Sequence, residues 1–280
     1  MNSTRHPPSL TLPFVQVDAF AEHAFEGNPA AVVRLESWLP DEVLAAIAAE
    51  NNLSETAFVV GGGGAAVLRW FTPAVEVDLC GHATLAAGAV LLEEDGGDLV
   101  RFSSRSGELT VARVGDRLEM ELPAVPPMDG ELPPAIVHAL GTPPVEGCPI
   151  RALHHADYWL ARFTTAAEVR ELTPDIGALR ALRSNVICTA PGEGDLDFVS
   201  RFFAPGSGVD EDPVTGSAHC SLAPYWVERL GRNPLRARQI GPRGGGLECE
   251  VRGARVALRG QCVTVIRGSM FVPREPAGQA

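Results

Sequence analysis

Arg69-Trp70-Phe71-Thr72-Pro73, followed by Val77-Asp78-Leu79-Cys80-Gly81-His82-Ala83-Thr84, occurs a second time as Arg201-Phe202-Phe203-Ala204-Pro205, followed by Val209-Asp210-Glu211-Asp212-Pro213-Val214-Thr215-Gly216-Ser217-Ala218. With a shift of 132 residues (Arg69 to Arg201), Arg, aromatic, Phe, Pro, Val and Asp coincide, and Cys80 falls opposite Asp212. Three extra residues then bring Gly81-His82-Ala83 opposite Gly216-Ser217-Ala218, and each copy runs into an apolar, helix-like segment. A period near half of the 280 residues describes a duplicated domain rather than a solenoid. Proton-carrying groups at equivalent points of a duplicated chain point to a site between two halves.

The neighbouring segments repeat in the same order. Phe14 to Phe20 alternates as a strand, Gly27-Asn28-Pro29 is a turn, and Asp41 is placed to cap a helix over Glu42 to Asn51. Residues 82–93 carry apolar side chains almost all round, the pattern of a buried helix, and 217–230 end at Gly231, a C-terminal stop. Each half reads as several strands around one apolar helix, an α+β arrangement. The Pro-rich run Pro123 to Pro127 serves as the linker. The expected organisation is a leader at 1–9, halves at 10–124 and 125–270, and a tail at 271–280.

Composition narrows the chemistry. A net charge of −12 argues against nucleic acid or an anionic membrane as partner. All 23 basic residues are arginine, so a Schiff-base lysine and a Walker phosphate loop are excluded. Six scattered cysteines without a CxxC pair make no disulfide framework, and no signal peptide or membrane span is evident; a cytoplasmic protein is expected. Gly61 to Ala66 fits G-x-G-x-x-A but leads into a strand, not a helix, so a dinucleotide site is not expected. His154-His155 lack companions at zinc-ligand spacing, so no metal is expected there. Trp70, Trp159 and Trp226 read as core.

Gly81-His82 and Gly216-Ser217 each open a helix, and unpaired N–H groups at such ends attract anions; Ser217 alone is equally an ordinary N-cap. His82, close to the positive end of a helix dipole, is expected neutral and suited to proton relay. Cys80 is either a small buried thiol or one with a depressed pKa. The repeat register singles out Asp212 and leaves Glu211 as a cap or solvated charge. Glu55, from spacing alone, reads as a solvated carboxylate at a helix end.

Val17-Asp18-Ala19-Phe20 with Gly27-Asn28-Pro29-Ala30-Ala31-Val32, then Asn52-Leu53-Ser54-Glu55-Thr56-Ala57-Phe58, Arg69 to Pro73, Asp78 to Thr84 and Glu211 to Ala218 together resemble the phenazine-biosynthesis PhzF-like family. That resemblance implies a diaminopimelate epimerase-like fold: two pseudo-symmetric halves, each a barrel-like, mostly antiparallel sheet on a central helix, with the site in the cleft between them. It turns Glu55 into the expected proton carrier of a cofactor-independent isomerase acting on a small carboxylate-bearing amino or hydroxy acid. His82, Asp212 and Ser217 match its assisting residues, and Asn28, Gly81 and Gly216 complete the substrate-binding set. The epimerase relatives place two catalytic cysteines where Cys80 and Asp212 are matched here. An epimerase or racemase using Cys80 and Asp212 is therefore the alternative, and a non-catalytic small-acid binding protein the second. A homodimer is implied by the family.

Overall fold

The computed structural model describes residues 9–151 and 156–273. Residues 1–8 of the expected leader, 274–280 of the expected tail and the His154-His155 pair lie outside the described residues. The chain forms two compact units. The first comprises the chain up to Ala19, Pro29–Leu118 and the chain from Cys262; the second comprises Phe20–Asn28 and Glu119–Gln261.

In the first unit β1 (Ser9–Ala19) pairs with β2 (Asn28–Leu35), which leads into α1 (Asp41–Asn51) and the parallel strand β3 (Glu55–Gly62). Then come β4 (Ala65–Phe71), antiparallel to β3, the short β5 (Glu76–Val77), α2 (Gly81–Glu94), β6 (Leu99–Ser104), parallel to β4, and its antiparallel partner β7 (Gly107–Val114). In α1 the N-cap is Pro40, not Asp41; Asp41 is the first helical residue, and its carboxylate accepts from Arg69 at 2.9 Å.

β8 (Arg117–Pro123) opens the second unit, followed by α3 (Pro134–Leu140), β9 (Glu146–Ile150), β10 (Asp157–Arg162), α4 (Ala166–Glu171), α5 (Ile176–Ala181) and β11 (Ser184–Pro191). β12 (Phe198–Ala204), β13 (Val209–Asp212), α6 (Gly216–Leu230), β14 (Leu235–Gln239), β15 (Gly245–Arg252) and β16 (Arg255–Gly260) complete it. Its pairings reproduce the first unit: β10 and β11 are parallel, β11 and β12 antiparallel, β12 and β14 parallel, β14 and β15 antiparallel. Even the register repeats, since Thr56 faces Phe71 and Phe58 faces Arg69 as Val186 faces Phe203 and Cys188 faces Arg201. The closing strand β17 (Cys262–Pro273) is antiparallel to β1 and belongs to the first unit. This departs from the expected half-by-half division. The Pro-rich run is not the divide either: the units change over at Leu118–Glu119, inside β8.

Each unit is α+β, with mostly antiparallel strands on one apolar helix. α2 packs against β1, β3, β6, β7 and β17, and α6 against β14, β15 and β16. Gly88 makes the close approach of α2 possible, because a Cβ there would lie 2.5 Å from Cγ1 of Val111 on β7. In α6, Pro224 cannot donate to Cys220 C=O four residues back, and that carbonyl accepts from Val125 N–H at 3.0 Å instead. Trp70 and Trp226 are buried; Trp159 is half-buried against the second unit's core. Among the described residues no helix is long and apolar enough to cross a membrane.

Candidate active site

The first cluster lies within the first unit, and local chain chemistry positions each member. Asn52, left-handed at φ 49°, stops α1, and the Asn51 amide donates to Thr56 Oγ1 at 3.0 Å. Those contacts fix the start of β3, where Glu55 stands beside Ala30 of β2. Cys80 is the N-cap of α2 and His82 its second residue. Thr84 returns its hydroxyl to Cys80 C=O at 2.5 Å, holding the first turn.

His82 Nε2 lies 3.1 Å from Glu55 Oε2. The N–H is not aimed at the oxygen, and buried Oε2 keeps its hydrogen-bonding capacity unused. Cys80 Sγ sits 3.6 Å from His82 Nδ1. Glu55 is neither solvated nor a helix end: its side chain is 18% exposed at the head of a strand.

Burial works against a charged His82, but the adjoining Cys80 sulfur and Glu55 carboxylate outweigh it and hold the imidazole's pKa well above its ordinary value. Those two neighbours work against the helix-dipole bias toward a neutral imidazole. Burial, reinforced by the charge on Glu55, pushes the Cys80 thiol up to about 11, against the depression a helix start alone would cause. The ligand atoms of Glu55, Cys80 and His82 lie within 4.8 Å of one another, a mixed O, S, N set of the kind a borderline divalent ion accepts. Metal binding needs the thiolate and would release the Cys80 proton.

The second cluster lies within the second unit. Asn28 Nδ2 donates to Asp212 Oδ1 at 2.8 Å and to Val214 C=O at 2.9 Å, and Thr215 Oγ1 donates to Asp212 Oδ2. Gln239 accepts from Thr215 N–H at 3.0 Å and donates to the Asp212 carbonyl. Asn28, expected to meet substrate, is fully buried and aims its amide at that carboxylate and carbonyl. His219, one turn into α6, hydrogen-bonds through Nδ1 to Thr215 C=O at 2.8 Å, and burial depresses it to about 4.

The second helix corrects the sequence register. Neither α2 nor α6 has a side-chain cap; their N-caps are Cys80 and Thr215, so Ser217 is not a cap. Strand pairing sets Val77 opposite Trp70 and Asp212 opposite Phe202, so Asp212 is equivalent to Val77 and Thr215 to Cys80. The three extra residues are taken up earlier, around the 3-10 turn Pro205–Ser207. Each copy also contains an ion-pair clamp. Arg69 forks onto Glu76 at 2.7 and 2.8 Å, and Arg201 onto Glu211 at 2.7 and 2.7 Å, while the guanidiniums lie over Phe71 and Phe203. Glu211 is thus a clamp, not a solvated charge, and the repeated Arg-x-Phe is a structural device holding the strand before each helix.

A family model described as phenazine biosynthesis-like protein, PhzC-PhzF, matches residues 17–268. The chain belongs to this family. It is 49% identical over 265 residues to an uncharacterized isomerase of Pseudomonas aeruginosa, covering 94% of this chain and 100% of the relative. A crystal structure of a PhzF family protein from Enterococcus faecalis superposes with a TM-score of 0.87 at 43% identity, covering 94% of this chain and 100% of that one. A hydroxyproline epimerase from Agrobacterium vitis, solved with bound trans-4-hydroxy-L-proline, shares the fold alone: TM-score 0.61, 14% identity, 99% and 96% covered. The fold is the diaminopimelate epimerase-like one.

Sequence reasoning missed Asn51, Thr215, Gln239 and the clamp carboxylates Glu76 and Glu211. Only Thr215 had a signal, its place immediately before the repeated Gly.

Proposed function

We propose that this chain is a cofactor-independent isomerase that moves a proton between two carbons of a small carboxylate-bearing amino or hydroxy acid. The observation that carries this reading is the Glu55–His82 pair, with 3.1 Å between Oε2 and Nε2 and no hydrogen-bond partner for the buried Oε2 among the described residues. Glu55, as carboxylate, takes the proton from an acidic C–H and returns one to a different carbon. His82, beside the carboxylate, hydrogen-bonds the substrate carbonyl as negative charge develops. General acid–base help of this kind contributes about 10²–10⁴-fold per group. The uncapped start of α2 presents N–H donors for a substrate carboxylate, Gly81 allowing close approach. In the second unit Asn28 is assigned to the positioning of Asp212, which precedes the uncapped start of α6 at Gly216 and Ser217.

The two-base epimerase reading has less behind it. Its partner for Cys80 came from a register that strand pairing does not follow, and the raised thiol is a poor base near neutral pH. The test is NMR in D₂O over a panel of cyclic and linear amino acids. Deuterium incorporation with wild type, lost in Glu55→Gln while the variant stays folded, is expected; full exchange by that variant refutes the assignment. Exchange abolished by Cys80→Ser but not by Glu55→Gln supports the epimerase, and ligand binding without exchange supports the non-catalytic reading.

A further inference from the structure

A cavity of about 260 Å³ in the second unit involves none of the residues assigned above. Arg170, Arg238 and Arg243 line it with a single carboxylate, Glu193, and with apolar Leu196 and Ile240. Arg170 is exposed near the end of α4, and among the described residues no carboxylate pairs with its side chain. Arg238 is 3.3 Å from Glu26, and Arg243 donates to the carbonyls of Glu26 and Gly27 at 3.0 and 3.1 Å. Those contacts orient two guanidiniums before anything binds.

Glu26 offsets Arg238 and Glu193 lies on the wall, so of the three lining guanidiniums Arg170 is the one turned to an arriving anion without a carboxylate partner among the described residues. Arginine forks match the oxygens of phosphate and carboxylate, and their mutual repulsion is relieved when such an anion arrives. The volume falls just below the roughly 300–1,000 Å³ of pockets for drug-sized ligands, which fits a small metabolite. The apolar wall leaves room for a short carbon skeleton beside the charged end. We infer that this cavity is a second ligand site, for a small organic oxyanion. It differs from the proposed active site in lying on α4, β12 and the segment from Arg238 to Gly244. Its placement has a consequence. Arg238 adjoins Gln239, and Arg243 grips the two residues before Asn28, so an occupant braces both supports of Asp212.

Isothermal titration of the full chain, with inorganic phosphate in one arm and citrate in the other, tests the site. Saturable one-to-one binding of at least one anion is expected, and the preferred arm assigns a phosphate-bearing or carboxylate-bearing ligand. Arg170→Ala should weaken it about tenfold, the loss of one charge-assisted pair. Glu193→Gln should tighten it severalfold. Arg170 is exposed and has no ion pair among the described residues, so Arg170→Ala should melt with wild type and weakened binding then reports on the site itself. No saturable binding of either anion up to about 10 mM, or undiminished affinity in Arg170→Ala, overturns the inference.

Discussion

Asn28→Asp replaces one amide by a carboxylate of the same shape at a direct polar contact to Asp212. In the wild type Asn28 Nδ2 is 2.8 Å from Asp212 Oδ1 and 2.9 Å from the Val214 carbonyl. Two full charges at 2.8 Å repel by about 6 kcal/mol at an effective dielectric of about 20. The molecule escapes by protonating one carboxyl, which at pH 7.5 costs about 5 kcal/mol for an ordinary aspartate pKa near 3.9. The smaller figure governs, so Asn28→Asp should lose about 4–5 kcal/mol relative to wild type at pH 7.5. Near pH 4 a shared proton replaces one donated bond, and the loss shrinks to about 1–3 kcal/mol for the acceptor left unsatisfied. The sign follows from linkage. The variant's carboxyl pair binds protons more tightly folded than unfolded, so its relative stability is present in acid and lost as pH rises. Urea midpoints of wild type and variant, measured side by side at both pH values, give the difference. If the two proteins differ equally at pH 4 and 7.5, the buried Asn28–Asp212 contact is not as described.

His219 is buried with its value depressed to about 4, so wild-type stability should be full above about pH 6.5 and fall through the interval down to about 4. The loss reaches about 3 kcal/mol, and His219→Leu should show a flatter acid limb in thermal melts. Iodoacetamide followed by peptide mass mapping should leave Cys80 unmodified at pH 8, because the thiol is buried and raised to about 11; labelling at the rate of a free cysteine would contradict that. Gly88→Ala should lower the melting temperature, since the contact with stiff Val111 costs about 1–3 kcal/mol and exceeds the roughly 1 kcal/mol of helix propensity gained.

The duplicated α+β plan, the two buried helices and the strands around them were legible because period-2 and all-round apolar patterns survive in both copies. Thr56 to Phe71 and Val186 to Phe203 then pair in matching register. The Cys80–Asp212 equivalence was not legible. Gaps in a repeat are placed by backbone geometry, and the 3-10 turn Pro205–Ser207 absorbs the extra residues before Glu211 rather than after Asp212. The arginine clamps were hidden for the same reason: Arg69 reaches Glu76 seven residues on, whereas Arg201 reaches Glu211 ten residues on. The surroundings of His82 escaped because a helix dipole is a local property, while the Cys80 sulfur and Glu55, which arrives from a different strand, both act against it. The return of β17 to β1 joins residues about 250 positions apart, a distance over which sequence periodicity carries no pairing information.

Pro224 has a role that an inventory of helix breakers would overlook. By withholding one N–H it turns a carbonyl on a buried helix into a docking point, and Val125 of the incoming proline-rich chain uses it. Pro224→Ala would add a helical N–H that competes for the same carbonyl, so a more regular helix would loosen its grip on the connecting segment.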